Sequence, residues 1–478
     1  MKYLRWLLLL GTCAGLSPVQ AQQVPGLQYS NYGGLYRATY NPAILGGSRY
    51  RWQINLTTLG STINNRYFIF FGRNALLYPL LAPHSTDELY GRSRTMSSVT
   101  QGGAVNLASE IRWPSVLFSV GKAHGFAFQL RSRGFVQGSN IPRALQTMYF
   151  RRLDTPATPT ADEAWGDFGL MQQSFSEASF SYGLQLINLH AHKLKVGGTL
   201  KRVFGARLGY LQGRADRYAI RLIPGTEDEK ELTVENLAYE SGYSHPNQAL
   251  RLGALFNARS YAQGWGYDLG ASYELGSYWN RLQEEDDARP GYLIRVAASL
   301  TDVGSIRYRT AQGTVQAGQQ QRVTIRQAEL ETLGDEGADG FARLFPVQQE
   351  STLLGDAALP AALHLEVDVQ LIKSFFLNVA QTRPYQAPTH QAPESALALR
   401  QPNSFTVTPR FEDEDSDFAF PISFLEGNER VSIGFLAHFG PLHVGFSNLN
   451  GLLSRKPGML RATYAYLGFS AWKFKDRK

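Results

Sequence analysis

Few side chains in this 478-residue chain are spaced for chemistry. His190 and His192 stand two apart, so in a strand they share a face and with help could hold a metal ion; beside the turn expected around Asn188 they read as solvated. Acidic clusters at 227–229, 284–287 and 412–417 fall in predicted loops. In the last, Asp413, Asp415 and Asp417 begin like a calcium loop, but Phe418 stands where the turn needs glycine and Phe424 where the bidentate glutamate belongs. Solvated loops are the reading, with a loose divalent-cation bridge to anionic lipopolysaccharide as the alternative. No spacing joins a serine nucleophile to an oriented histidine, so neither catalysis nor a cofactor is expected. A different constellation stands out: Arg37, Arg49, Arg51 and Arg66 lie in and around one N-terminal stretch, while Glu110, Glu177, Glu274, Glu366 and Asp368 sit on polar faces of alternating segments. Enclosed together, such charges need one another.

The stretch that would carry those arginines is YSNYGGLYRATYNPAILGGSRYRWQINL, residues 29–56. Asn41 precedes Pro42 and is held extended; Pro42 can open a short helix or turn that Gly46 and Gly47 stop. Beyond it Trp52, Ile54, Leu56 and Thr58 alternate with Gln53, Asn55 and Thr57, the period of a strand. The pattern recurs: Tyr267, Leu269, Ala271 and Tyr273 oppose Asp268, Gly270, Ser272 and Glu274, and Leu365, Val367 and Val369 oppose His364, Glu366 and Asp368. Many segments approach the roughly 9–11 residues of a tilted membrane-crossing strand, and short turns alternate with long polar loops. The expected fold is an all-β transmembrane antiparallel barrel of about 14 strands, with Trp52, Trp113, Tyr267, Tyr292, Tyr464 and Trp472 near strand ends as interfacial aromatics. Strand side chains alone do not fill a lumen that wide. Residues 29–47 are the first candidate plug; residues 315–345, where Val323, Leu330 and Leu333 share a side of a helix, form a second plug or a surface loop. The expected anchor pairs Arg37, Arg49, Arg51 and Arg66 with the wall carboxylates, and Asn41-Pro42-Ala43 shapes the contact.

Lys2 and Arg5 lead an apolar run to Leu16, and Val19-Gln20-Ala21 precedes a cleavage point at Gln22, so residues 1–21 read as a secretory signal peptide, 22–48 as the hatch and 49–478 as the barrel. The single cysteine, Cys13, falls in that leader, where Thr12 argues against lipidation. No later run approaches a membrane helix. With 46 Gly, 24 Tyr and 27 Phe the composition suits many short strands; the net charge of +7 is spread without a basic tract, which fits anionic lipid or polysaccharide and not nucleic acid.

An exported N-terminus, then Asn41-Pro42-Ala43, then an alternating barrel resembles the long-chain fatty acid transporter superfamily. TYNPA followed by SRYRWQINL, with TDVGSIRY at 301–308, looks like an uncharacterised family of outer-membrane barrels from bacteria with type IX secretion. The chain departs from many outer-membrane barrels by ending in KFKDRK and not in an aromatic residue. The resemblance implies a Sec-exported outer-membrane protein amid lipid and lipopolysaccharide. It implies either a hatch-gated channel for a hydrophobic or amphipathic solute, or a non-transporting barrel that partners secretion or surface-protein assembly.

Overall fold

Alternation along the chain becomes a wall. The computed structural model describes residues 26–65, 68–70, 93–95, 104–139, 163–189, 191–226, 229–244, 256, 262–276, 292–308, 313–326, 329, 349–351, 355–385, 399, 401, 403–413, 416–425, 430–447 and 462–474. The chain enters through helix α1 (Gly34–Tyr40) and a 3-10 turn (Pro42–Leu45). β1 (Tyr50–Asn65) follows, and β2 (Phe68–Phe70) and β3 (Ser93–Thr95) pair as a separate two-stranded sheet. β4 (Ala104–Arg112) and β5 (Ser115–Val120) are halves of one wall strand between β1 and β6 (His124–Ser139). Next come β7 (Glu163–Leu189), β8 (His192–Leu222), β9 (Lys230–Ser244), β10 (Ala262–Leu275), β11 (Ile294–Tyr308), β12 (Gly313–Arg326) and β13 (Gln349–Ser351). β14 (Gly355–Ala358) and β15 (Ala362–Ile372) share one position against β11, followed by β16 (Phe375–Pro384) and β17 (Ser404–Glu412). β18 (Ser416–Ala419) and β19 (Ile422–Leu425) share the position before β20 (Arg430–Phe439), and β21 (Leu442–Ser447) and β22 (Ala462–Phe474) end the wall. β22 pairs back with β1 from Tyr50–Phe474 to Asn64–Ala462, closing a 14-strand antiparallel barrel with no free wall edge.

Hydropathy separates across that wall. On β15 Leu363, Leu365 and Val367 are exposed outside while His364, Glu366 and Asp368 are buried inside; on β10 Tyr267, Leu269 and Tyr273 face out while Asp268 and Ser272 face in. Apolar outside and polar inside inverts a soluble barrel.

Four expectations change. Thr57 faces out and Thr58 in, because a register shift between Asn55 and Thr57 breaks the period of two. Asn64-Asn65 reads as a turn and residues 67–71 as a return strand, but its described part, Phe68–Phe70, pairs with β3 and not with the wall. The helix expected over 315–345 is strand up to Arg326, where Val323 and Ile325 alternate with Thr324; residues 330–348 lie outside the described residues. Residues 140–171, rich in Pro, Thr and Asp, read as a long loop; 140–162 lie outside the described residues, but the chain is strand from Glu163, and β7 and β8 reach 27 and 31 residues, well beyond one bilayer crossing. Their far ends pair on through β9 and β12 to β13, an extension whose buried face includes Tyr218, Ile220, Leu232, Val234, Val323 and Ile325.

TDVG, residues 301–304, is where the wall is re-aimed. Leu269 faces Leu300 but Tyr267 faces Val303, so β11 sets two residues, Thr301 and Asp302, against Asp268 alone. Asp302 has φ 58 and Gly304 φ 154; aspartate tolerates the first, and only glycine suits the second. A Cβ on Gly304 would also stand 2.0 Å from the Trp265 carbonyl oxygen. Gly304→Ala is expected to destabilise the barrel by about 3 kcal/mol or more, measured by chemical unfolding in detergent.

Candidate functional site

The segment 26–47 lies within the barrel, because its residues touch wall strands all around the circuit. Its shape comes from local rules. Gly33 and Gly34 begin α1 with close approaches to the Leu27 carbonyl oxygen and the Gln53 amide that a Cβ would block. Asn41 is extended at φ -148 and ψ 107 before Pro42; its N–H donates to the Arg37 carbonyl (2.8 Å), and its Oδ1 accepts the Ala43 N–H (3.0 Å), capping the 3-10 turn.

One side of this hatch presses on glycine. Cβ atoms on four inward wall glycines would collide with it: at Gly125 2.0 Å from the Leu45 carbonyl oxygen, at Gly183 2.5 Å from the Gly46 nitrogen, at Gly197 2.5 Å from the Pro42 carbonyl, and at Gly270 2.1 Å from the Asn41 Oδ1. These positions on β6, β7, β8 and β10 form a cradle: backbone meets backbone at Gly125, Gly183 and Gly197, and the Asn41 side chain lies on Gly270. Asn41 Nδ2 reaches across it to the Ala271 and Ala298 carbonyls (3.2 and 3.3 Å).

The other sides are hydrogen-bonded. Ser30 donates to Asp417 (2.9 Å), and Glu412 accepts both the N–H and Nδ2 of Asn31 (3.1 and 2.8 Å). Gln53 accepts the Leu35 N–H (2.8 Å), and Ser299 donates to the Tyr40 carbonyl (2.6 Å). The Tyr36 hydroxyl donates to Asn55 (2.7 Å) and contacts Thr58 and His443. Burial pushes that phenol up to about 12, so it meets its partners neutral.

Arg37 is the arginine brought onto a wall carboxylate, Glu366, at 3.2 Å. Its other nitrogen holds the Tyr29 and Ser30 carbonyls and Asn31 (3.3, 3.1 and 3.2 Å). Arg49 lies over the Tyr32 ring at 5.6 Å, Arg51 is exposed, and Arg66 lies outside the described residues. Wall partners take the other expected acids. Glu110 binds Arg112 and Arg131, Glu274 binds Lys195 (2.7 Å), and Asp368 binds Arg295 and Arg410 (2.7 and 2.9 Å), because cations on the same inward face of the same or a nearby strand stand closer than the hatch. The expectation that 412–417 is a solvated loop is corrected: Glu412 and Asp417 are buried, on the inward faces of β17 and β18. His192 starts β8 with Nδ1 2.6 Å from the Tyr273 hydroxyl; His190 is outside the described residues, among which no group of three metal-ligating side chains occurs.

Sequence reasoning missed the wall bases. Each acid that holds the hatch has one: Glu366 has Arg295 (2.7 Å), Glu412 has Arg410 (2.6 Å) and Asp417 has His438 (3.2 Å). It also missed the layer farther from the short turns. There Glu110, Glu177, Asp302 and Asp268 interleave with Arg112, Arg131, Arg133 and Lys201, four acids against four cations. Asp302, aimed inward by the bulge, takes Arg133 (2.8 Å) and Lys201 (2.6 Å). The TDVG motif was the signal available for it. Beyond this layer the inward positions turn apolar, with Phe135, Met171, Phe175, Val203, Ile306 and Leu359 in one buried cluster.

Neighbouring glycines make an internal control for the cradle. Gly197 faces Pro42, whereas a Cβ on Gly198 would meet only Asp268 and Leu269 atoms at 3.5 and 3.7 Å. Gly197→Ala is expected to unseat the hatch, seen as new proteolytic cleavage within residues 35–47 of the folded barrel, and Gly198→Ala to leave it protected.

Among curated proteins nothing matches the chain. Among solved structures it is similar to a Pseudomonas aeruginosa FadL homologue (12% identity, TM-score 0.38, covering 96% of this chain and 96% of that one). It is similar also to the Pseudomonas putida toluene transporter TodX (10%, 0.35, 95% and 95%) and to the outer membrane protease OmpT of Escherichia coli (7%, 0.21, 88% and 95%). The scores are low, and the register and hatch contacts above come from this chain's own strands. Residues 42–447, from the proline in the glycine cradle to the end of β21, match a family of unknown function, and the chain belongs to that family, DUF5723.

Proposed function

We propose that this protein is an outer-membrane channel for a hydrophobic or amphipathic solute, closed in this conformation by residues 26–47. The observation that carries the reading is the two-sided seating of the hatch: backbone against glycine on β6, β7 and β8 with the Asn41 side chain against glycine on β10, and exchangeable hydrogen bonds on the remaining sides. The glycine side gives a close-packed register that the segment can find again. The polar side exchanges with water at small net cost, near 1 kcal/mol per bond. A plug meant to be permanent needs no such division.

Insertion by strands is supported by the outward apolar belt, which includes Leu269 at 65% and Ile372 at 68% exposure. Among the described residues no helix is long and apolar enough to cross a membrane. The expected leader at 1–21 fits Sec export, and belongs to the same proposal. The long β7–β8 extension favours a second reading, a barrel that docks a secretion or surface protein, since it offers sheet surface beyond the wall.

Two measurements test this. Deleting residues 26–47 is expected to produce stepwise conductance in planar bilayers that the intact protein lacks; equal silence from both would overturn the channel. Leu269→Arg is expected to cost about 2–4 kcal/mol of stability in lipid vesicles, where a water-facing leucine would accept the charge almost freely.

A further inference from the structure

One inward side chain breaks the pattern of its layer. Gln173 on β7 is fully buried, and among the described residues neither its Oε1 nor its Nε2 has a hydrogen-bond partner. Its neighbours on the same face are Met171 and Phe175 along the strand, Phe135 across on β6 and Leu208 across on β8, all apolar and buried. An amide enclosed this way forfeits the hydrogen bonds it had in water, and a leucine would pack there without that loss. Just below, Arg133 lies over the Phe135 and Phe175 rings at 5.2 and 5.4 Å, with its Nε also unpartnered. The guanidinium charge itself is matched by Glu177 and Asp302, within a layer of four acids and four cations.

We propose that the apolar layer is a solute site in which Gln173 reads a neutral hydrogen-bonding head group. It takes molecules with an apolar body and an uncharged head that both donates and accepts, such as an alcohol or a primary amide, in preference to fatty-acid anions. The apolar side chains receive the body. Gln173 offers one donor and one acceptor to the head, and Arg133 Nε a second donor. An anionic head finds no surplus positive charge in the layer beneath to offset the loss of its hydration. The site is closed in this conformation, so entry of a solute parts Gln173 from Phe135 and Leu208.

This rests on the channel reading, and the test separates the two. Three probes of one chain length, 1-octanol, n-octane and octanoate, are titrated against the full-length protein in a fixed detergent, with the shift in thermal unfolding as the measure of binding. Octanol is expected to bind best. Gln173→Leu is expected to raise the melting temperature of the free protein, weaken octanol about tenfold and leave octane unchanged; Gln173→Met serves if the leucine variant fails to fold. Octanoate binding more tightly than octanol, or octanol and octane binding alike and indifferent to Gln173, would overturn this proposal alone. Leucine and methionine variants both less stable than the parent would also overturn it, since Gln173 would then be packing and not reading. Failure of all three probes to bind would overturn the channel reading with it.

Discussion

A 14-strand lumen has to be filled, and the contact on which the filling depends is backbone against backbone at the wall glycines. Glycine inside a strand costs about 0.5–1 kcal/mol relative to alanine, because the unfolded chain loses more freedom there. Gly125, Gly183, Gly197 and Gly270 accept that cost on four strands facing the same segment, residues 26–47. What it permits is an approach that any Cβ would prevent, so that Asn41, Pro42, Leu45 and Gly46 lie flat on the wall. Once they are seated, the rest of the hatch has its register. Tyr36 reaches Asn55 and His443, Arg37 reaches Glu366, and Ser30 reaches Asp417.

Charge is the second constraint. Arg295 and Arg410 are nearly inaccessible, yet each is met by carboxylates at 2.6–2.9 Å. Buried pairs of this kind add little stability over apolar packing, because desolvation offsets the attraction; what they impose is arrangement, since a displaced partner leaves a bare charge. In the lumen that arrangement ties β11, β15 and β17 together, and separately β4, β6, β7, β8, β10 and β11, independently of the hatch.

Much of the wall was legible. HLEVDVQL and YDLGASYE show both faces of a strand in eight residues each, and the polar face is the inward one in both. Arg37 and Asn41-Pro42-Ala43 were legible as part of a compact segment ahead of the first strand, because proline fixes the local path. The misreadings have physical causes. A bulge at Thr57 reverses the faces in the middle of an alternating run, and alternation alone cannot announce it. Glu412 and Asp417 read as solvated because acidic clusters near turns usually are, whereas here the turn end of the barrel is also the end the hatch fills. Wall glycines look like strand weakeners until their partners, eighty or more residues away in sequence, are brought opposite them. Arg295 and Arg410 carry no local mark at all.

How the hatch can leave such a lumen without stranding charge follows from the pairing. Were Arg37 the sole partner of Glu366, withdrawal would leave a bare acid in the wall and a bare cation in the hatch, a buried-charge loss of several kcal/mol. Instead Glu366 keeps Arg295, and Arg37 keeps the Tyr29 and Ser30 carbonyls and Asn31, which travel with it. Glu412 keeps Arg410 when Asn31 goes, and Asp417 keeps His438 when Ser30 goes. Each of these three acids is thus doubly served, once by the hatch and once by its own neighbour. In the proposed opening, release would therefore trade neutral and charge-assisted hydrogen bonds for water, and the wall pairs would persist through it.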